Sequence, residues 1–416
     1  MSKQSSELTR RDFVGRICQS VAAGAFVPGL MPFYRDDAVD AAARDTVLVV
    51  CELNGGNDGL NTLVPYGDDN YYKLRRRIGI KEKDLWKLDE HFGLHPSLKP
   101  LRPLWDQGAF ALIQCVGYPK PNRSHFHSMD IWQAADPELS TARSGWLGRA
   151  ADALPTAGGI APALSVTSAL PLAMRSGKRP IPALASLREL QIVTDTRSSY
   201  DARMERRLLR ENLSLSAKAK PSIAAASRAF AAAMEDSRRI QKVTKAYRPA
   251  ARYPRGLGDR LRLIAQLLDA GHPGRIFYCG MGGFDTHGNQ AGSHRRLLSQ
   301  FADSMAAFFQ DLEAHGQVMR VVVLAYSEFG RRVQENGSLG TDHGAGGLAL
   351  LLGPSAVGGI HGTKPSLSDL GRGDLKFTTD FRRVYDELLG RWLRVPPKPV
   401  LGARFEAVGA LRGREV

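Results

Sequence analysis

The sequence is poor in cysteine, in long apolar runs and in acidic charge, and each shortage removes a class of protein. Four cysteines in 416 residues are too few for a disulfide-built scaffold. Cys51, Cys115 and Cys279 each lie in an apolar, strand-like run, where cysteine acts as a small buried hydrophobe, so no structural disulfide is expected. Cys18 lies in the N-terminal segment. Beyond that segment no apolar run approaches the ~20 residues of a spanning helix, so no integral membrane segment is expected in the mature chain. Internal repeats, zinc-ribbon cysteine pairs and recognised nucleic-acid motifs are also missing, which argues against nucleic acid as a partner.

Acidic residues number 42 against 57 Lys and Arg, a formal net charge of +15. Up to Asp45 the two signs cancel at six each, so the excess belongs to the rest of the chain. Such an excess favours anionic small molecules, acidic polysaccharide or a lipid surface, or it serves solubility alone. The N-terminal segment carries Thr9, Arg10, Arg11, Asp12, Phe13 and Val14, then a weakly apolar stretch from Ile17 to Phe33 broken by Gly24, Pro28 and Gly29. An arginine pair before a short, mildly apolar run is an export address, and its glycines and proline argue against a spanning helix. Ala41, Ala42 and Ala43 offer a cleavage region. Residues 1–45 are therefore read as a twin-arginine signal and linker. The twin-arginine translocase is the expected partner during export, and the periplasm or the exterior is the expected destination.

Residues 46–416 read as one α/β domain. Apolar runs at Thr46–Leu53, Phe110–Val116, Ile276–Gly280, Val321–Tyr326 and Leu348–Leu352 lack strict alternation, as strands covered on both faces do. Helical periodicity falls between or after them, at Ser124–Ala135, His294–His315 and Asp380–Leu393. The expectation is a doubly wound, mainly parallel sheet with helices on both faces. The stretch at about 151–271 differs. It starts as strands and loops, then turns Ala-, Arg-, Lys- and Leu-rich from Pro221 to Ala270, and is read as an inserted, mostly helical cap. Arg238, Arg239, Lys242, Lys245, Arg248, Arg252 and Arg255 make it basic.

In open α/β sheets ligands bind beyond the carboxyl ends of the strands. Polar, metal-capable residues recur at those places. Asn54, Asn57 and Asp58 follow the first strand, and Arg123, Ser124, His125, Phe126 and His127 follow the second. Asp285 and His287 come after Gly282-Gly283-Phe284, and Ser327, Glu328, Phe329, Gly330 and Arg331 after Tyr326. Asp342 and His343 immediately precede the run at Leu348. Asp, Glu and His gathered from several strand ends suit a divalent cation, which stabilises phosphoryl or sulfuryl oxygens and activates a hydroxyl or water. Ser124 stands where it can cap the next helix, a place suited to a nucleophile. His91, His95, His272, His315 and His361 are read as surface or structural.

The order of motifs resembles the alkaline phosphatase and sulfatase superfamily. It more closely resembles the exported, sulfatase-like family catalogued as domain of unknown function 1501. The matching segments are Leu53–Asn61, Asn122-Arg123-Ser124-His125-Phe126, Gly283–Gly288, Ser327-Glu328-Phe329-Gly330-Arg331 and Thr341–Gly347. The resemblance implies an alkaline phosphatase-like fold, Ser124 as nucleophile, and a metal held by Asp285, His287 and His343. Asn54 or Asp58 falls near the superfamily's first Asp, and Glu328-Phe329 stands where the superfamily has Asp-His. The second metal position thus loses a histidine to Phe329, although Glu328 and Asp58 could still hold a hard ion there. One metal is therefore expected rather than two, as Zn, Mg, Ca or Mn.

Two functions follow as expectations. The first is a metal-dependent phosphate or sulfate ester hydrolase, with Arg123 or Arg331 on the anionic oxygens and His125 or His127 as general acid. The second is a non-catalytic secreted protein that binds an anionic polymer or surface on a degenerate hydrolase fold, motivated by Phe329 and the basic insertion.

Overall fold

The computed structural model describes residues 46–139, 143–156, 161–186 and 246–413. The expected twin-arginine signal lies outside the described residues, as does the 187–245 part of the expected insertion with Arg238, Arg239, Lys242 and Lys245.

Eight strands form one sheet: β1 (Val47–Leu53), β2 (Phe110–Gly117), β3 (Ala163–Ser165), β4 (Ile276–Met281), β5 (Val321–Tyr326), β6 (Gly347–Leu352), β7 (Gly359–His361) and β8 (Thr379–Asp380). Their order is β7-β2-β6-β5-β1-β4-β3, and β8 also pairs with β2. Every pairing is parallel except the two made by β6. The mainly parallel α/β sheet read from the sequence is therefore the observed one.

Helices cover both faces, which explains the unbroken apolar runs. On β1 the side chains of Val47, Val49, Cys51 and Leu53 join the core beneath α3 (Leu257–Asp269) and α4 (Gln290–Ala314). Leu48 and Val50 face the opposite core, under α1 (His125–Ala134), α2 (Trp146–Ala153) and α5 (Phe381–Glu387), the last continued by a π turn over Leu388–Leu393. With period two, both sets must be apolar. The long α4 presents Leu298, Phe301, Met305, Phe308 and Leu312 as a stripe three to four residues apart, each buried. Fully burying such a side chain contributes about 1.5–3 kcal/mol. Near the sheet, Leu63–Val64, Trp86–Lys87 and Gly93–Leu94 form a small antiparallel sheet that the sequence reading did not anticipate.

The orientation of β6 decides where the site residues meet. A parallel crossover from β5 to β6 would require a helix's worth of chain, but residues 327–346 hold no helix, only turns, bends and the isolated bridge between Arg331 and His343. The chain doubles back, so the residues entering β6 lie at the same sheet edge as those leaving β1, β4 and β5. Two parts of the 151–271 stretch are built into this framework. β3 pairs with β4, and Leu257, Leu261, Ile264 and Leu268 of α3 are buried beneath the sheet. No helix among the described residues is long and apolar enough to cross a membrane.

Candidate metal centre

At this edge the turn after β1 must pass very close to its neighbours. Gly55 has φ +114°, and a Cβ there would stand 2.4 Å from the Asp285 amide nitrogen. Gly56 has φ +72°, and its Cβ would stand 2.6 Å from the Phe329 ring. Only glycine satisfies both the dihedral and the contact. The freed amides of Gly55 and Gly56 donate to the buried Glu328 carboxylate, at 2.9 Å to Oε1 and 3.2 Å to Oε2.

Three imidazoles surround Asp285. His343 Nε2 and His287 Nε2 each lie 3.0 Å from Asp285 Oδ1 and 2.8 Å from one another. His125 Nε2 lies 3.4 Å from Asp285 Oδ2, is buried, and has no hydrogen-bond partner. The opposite nitrogens identify the tautomers. His125 Nδ1 meets Glu328 Oε1 at 2.6 Å, His287 Nδ1 meets Asp342 Oδ1 at 3.2 Å, and His343 Nδ1 meets the Arg123 carbonyl at 2.8 Å. Carbonyls and ionised carboxylates only accept, so each Nδ1 carries the proton and donates. In the neutral form of each ring Nε2 is then a lone pair, and the three Nε2 atoms converge on one carboxylate.

Acceptors packed this closely repel one another unless a cation or extra protons sit among them. Spacings of 2.8–3.4 Å are about those of adjacent ligands on one ion with bonds of about 2.1 Å. Histidines that hold metal commonly donate their second nitrogen to a carboxylate or carbonyl, as all three do here. Asp285, Glu328 and Asp342 bring three carboxylates to this edge, where Arg331 pairs with Asp285 and the charge of Arg332 acts on Asp342. The donor set therefore fits a metal ion. His125, Asp285 and His343 lie within 4.8 Å of one another, and His287 adjoins the last two.

A family model described as a protein of unknown function, DUF1501, matches residues 44–402. The chain belongs to the DUF1501 family. No curated protein matches it.

In this DUF1501 chain the other site residues take varied places. Burial pushes the Asp285 carboxyl up, but the Arg331 hydrogen bond and charge hold it well below the usual carboxylate range. The Asn336 hydrogen bond is the largest influence on Asp342 and, with the His287 contact, lowers it too. Arg331 was expected to bind anionic oxygens. It is instead buried, with its guanidinium donating to the Gly55, Gly56, Phe284 and Thr341 carbonyls and to Asp285 Oδ1, so it serves as a fixed cation beneath the centre. Asp58 was expected near a metal but is turned away. Its buried carboxylate caps Gly59–Thr62 and pairs with Arg75 Nη1 at 2.5 Å, and burial's upward push is more than offset by Arg75 together with His294 and Gln290. Asn54 adjoins the centre through its backbone, accepting from Phe284 N, while its buried Oδ1 has no partner.

Glu328 is not in the 4.8 Å cluster; it holds His125 and the two glycine amides behind that cluster. Phe329 packs its ring 4.9 Å from His125 and 4.8 Å from His343, backing two imidazoles. Ser124 is exposed at the cap of α1, between His125 and the residue whose carbonyl holds His343, and its hydroxyl makes no bond to the helix. His127 is exposed one turn further on. Sequence reasoning gave His125 an acid's role and overlooked Asp342 as the partner of His287. The adjacent Asp342-His343 pair was the available signal. It also passed over Glu52, a buried acid at the end of β1 that burial first, and the Glu328 charge second, push up to about 8.

Proposed function

We propose that this chain is an exported, metal-dependent hydrolase of phosphate or sulfate esters within the alkaline phosphatase and sulfatase superfamily. One observation carries the reading: three imidazoles, each with Nδ1 committed to an acceptor, turn their Nε2 atoms toward Asp285. His125, His287, His343 and Asp285 are the proposed ligands of one divalent ion rather than two. A bound divalent ion would supply Lewis-acid stabilisation of the ester's oxygens and favour the ionised form of a nucleophile.

The chain's own residues supply the remainder. Glu328, Asp342 and the Arg123 carbonyl hold the imidazoles in the ligating tautomer, and Arg331 keeps Asp285 ionised. Ser124 Oγ forms the bond to phosphorus or sulfur, releasing its proton to solvent, while the bond to the ester oxygen breaks. With both His125 nitrogens committed, His127 is the proposed acid that protonates the departing oxygen. Water then cleaves the seryl ester and restores the hydroxyl. The test is turnover of aryl phosphate and aryl sulfate by metal-loaded protein, wild type against Ser124→Ala. Turnover lost in the variant supports the reading, and equal rates in both proteins contradict it.

The second reading, a non-catalytic binder of an anionic polymer, drew on the basic insertion and on Phe329 as a lost ligand. Phe329 backs the His125 and His343 rings, and His125 offers a nitrogen in its stead, so that motive weakens.

A further inference from the structure

With Arg331 buried, the oxyanion of the ester needs another partner, and the neighbouring residue is placed for it. Residues 331 and 332 lie in an extended segment in which Arg331 bridges His343, so their side chains fall on opposite faces. Arg331 goes under the centre, and Arg332 is 37 % exposed. The Arg332 amide donates to the carbonyl of Asp342, the residue whose carboxylate holds His287. Arg123 lies on the other flank, 39 % exposed, with its carbonyl on His343 and Ser124 next in sequence.

One carboxylate joins the two arginines. Asp374, only 6 % exposed, accepts from Arg123 Nη2 at 2.5 Å and Nε at 3.1 Å through Oδ2. Its other oxygen, Oδ1, is buried without a hydrogen-bond partner, 3.6 Å from Arg332 Nε. A buried carboxylate is costly to keep for a surface ion pair worth little on its own, but it suits the orientation of two cations toward a shared ligand. Among the described residues, Nη1 of Arg123 and Nη1 of Arg332 have no hydrogen-bond partner.

We propose that Arg123 and Arg332, both aimed by Asp374, form the subsite for the tetrahedral oxyanion of the substrate, a phosphate or sulfate group. This rests on the hydrolase reading above and adds to it the residues that recognise the anion. Arg123 and Arg332 contact the anion, and Asp374 is a positioning residue.

The test is calorimetric titration of the full chain with inorganic phosphate and, separately, inorganic sulfate, before and after chelator treatment, with metal content measured on every sample. Arg332→Ala should weaken the tighter-bound anion about tenfold or more at unchanged metal content, since charge-assisted contacts to the anion are lost. The preferred anion identifies the ester class. Asp374→Asn separates aim from bulk charge. It adds one positive charge, so attraction by charge alone would tighten binding, whereas loss of aim weakens it. Wild-type affinity for both anions in Arg332→Ala, or tighter binding in Asp374→Asn, overturns the proposal. So does the absence of binding at millimolar phosphate or sulfate in the wild type. Loss of the metal reading alone would appear as absent metal, while the titration of chelator-treated protein still decides the arginine subsite.

Discussion

Glu328→Gln probes the centre with almost no change of shape. The carboxylate accepts from His125 Nδ1 at 2.6 Å and from the Gly55 and Gly56 amides. A glutamine offers one acceptor oxygen and one NH2 group in the same space, so a donor must face a donor somewhere. If the NH2 faces His125, the ring must move its proton to Nε2 to accept at Nδ1, and the ligating lone pair disappears. If the NH2 faces the glycine turn, a buried amide is left unsatisfied at about 1–3 kcal/mol, and the turn that abuts Asp285 shifts. Loss of such a supporting partner weakens metal binding about 10–100-fold, or about 1.4–2.7 kcal/mol. Competition against a chromogenic chelator at pH 7.5 or so, with thermal unfolding of the metal-free protein as a fold control, reads this directly. A Glu328→Gln protein that folds normally and binds metal as tightly as wild type would refute the role assigned to Glu328.

Three further outcomes follow from the packing. Burial lowers His95 to about 3 and His272 and His294 to about 4, against about 6.5 in an unfolded chain, so the unfolded state takes up protons first as pH falls. Stability should be flat near neutrality and decline between about pH 6.5 and 4, and a urea midpoint that rises on acidification would contradict this. Gly55→Ala must place its Cβ against the Asp285 amide at a φ of +114°, so it should lower the unfolding free energy from urea titration by about 1–3 kcal/mol and reduce metal affinity. Unchanged values for both would show that the close approach does not matter. Asp311, buried on α4, accepts from the Tyr247 and Tyr253 hydroxyls and the Ala250 amide, anchoring the chain where it rejoins the described framework. Asp311→Asn should cost about 1.5–3 kcal/mol by urea titration, and a cost near zero would count against that anchoring.

The sheet was legible because both faces of its strands are covered, so β1, β2, β4 and β5 stood out as unbroken apolar runs. The direction of β6 was not legible in its residues, since Leu348–Leu352 looks like any buried strand. The signal lay in the glycine-rich stretch before it, too irregular for a crossover helix. At the site, Asp285, His287 and His343 were identifiable as ligand types at strand ends. His125 was harder to assign, because the roles of ligand and acid use the same residue type and differ only in which nitrogen is committed. Asp58 and Arg331 misled for a shared reason. Their charges look available in sequence, but both side chains are buried and engaged, Asp58 by Arg75 and Arg331 by a ring of carbonyls together with Asp285. Arg332, one residue from Arg331, could have been separated from it by strand alternation had the segment been recognised as extended.

The most direct test of the metal centre is X-ray absorption on the full chain loaded with one equivalent of divalent zinc. The account expects one tightly held ion with a nitrogen- and oxygen-rich first shell and the outer-shell scattering of several imidazoles, reduced in His125→Ala, His287→Ala and His343→Ala. A protein that binds no ion, or an ion whose spectrum these three substitutions leave unchanged, would contradict it.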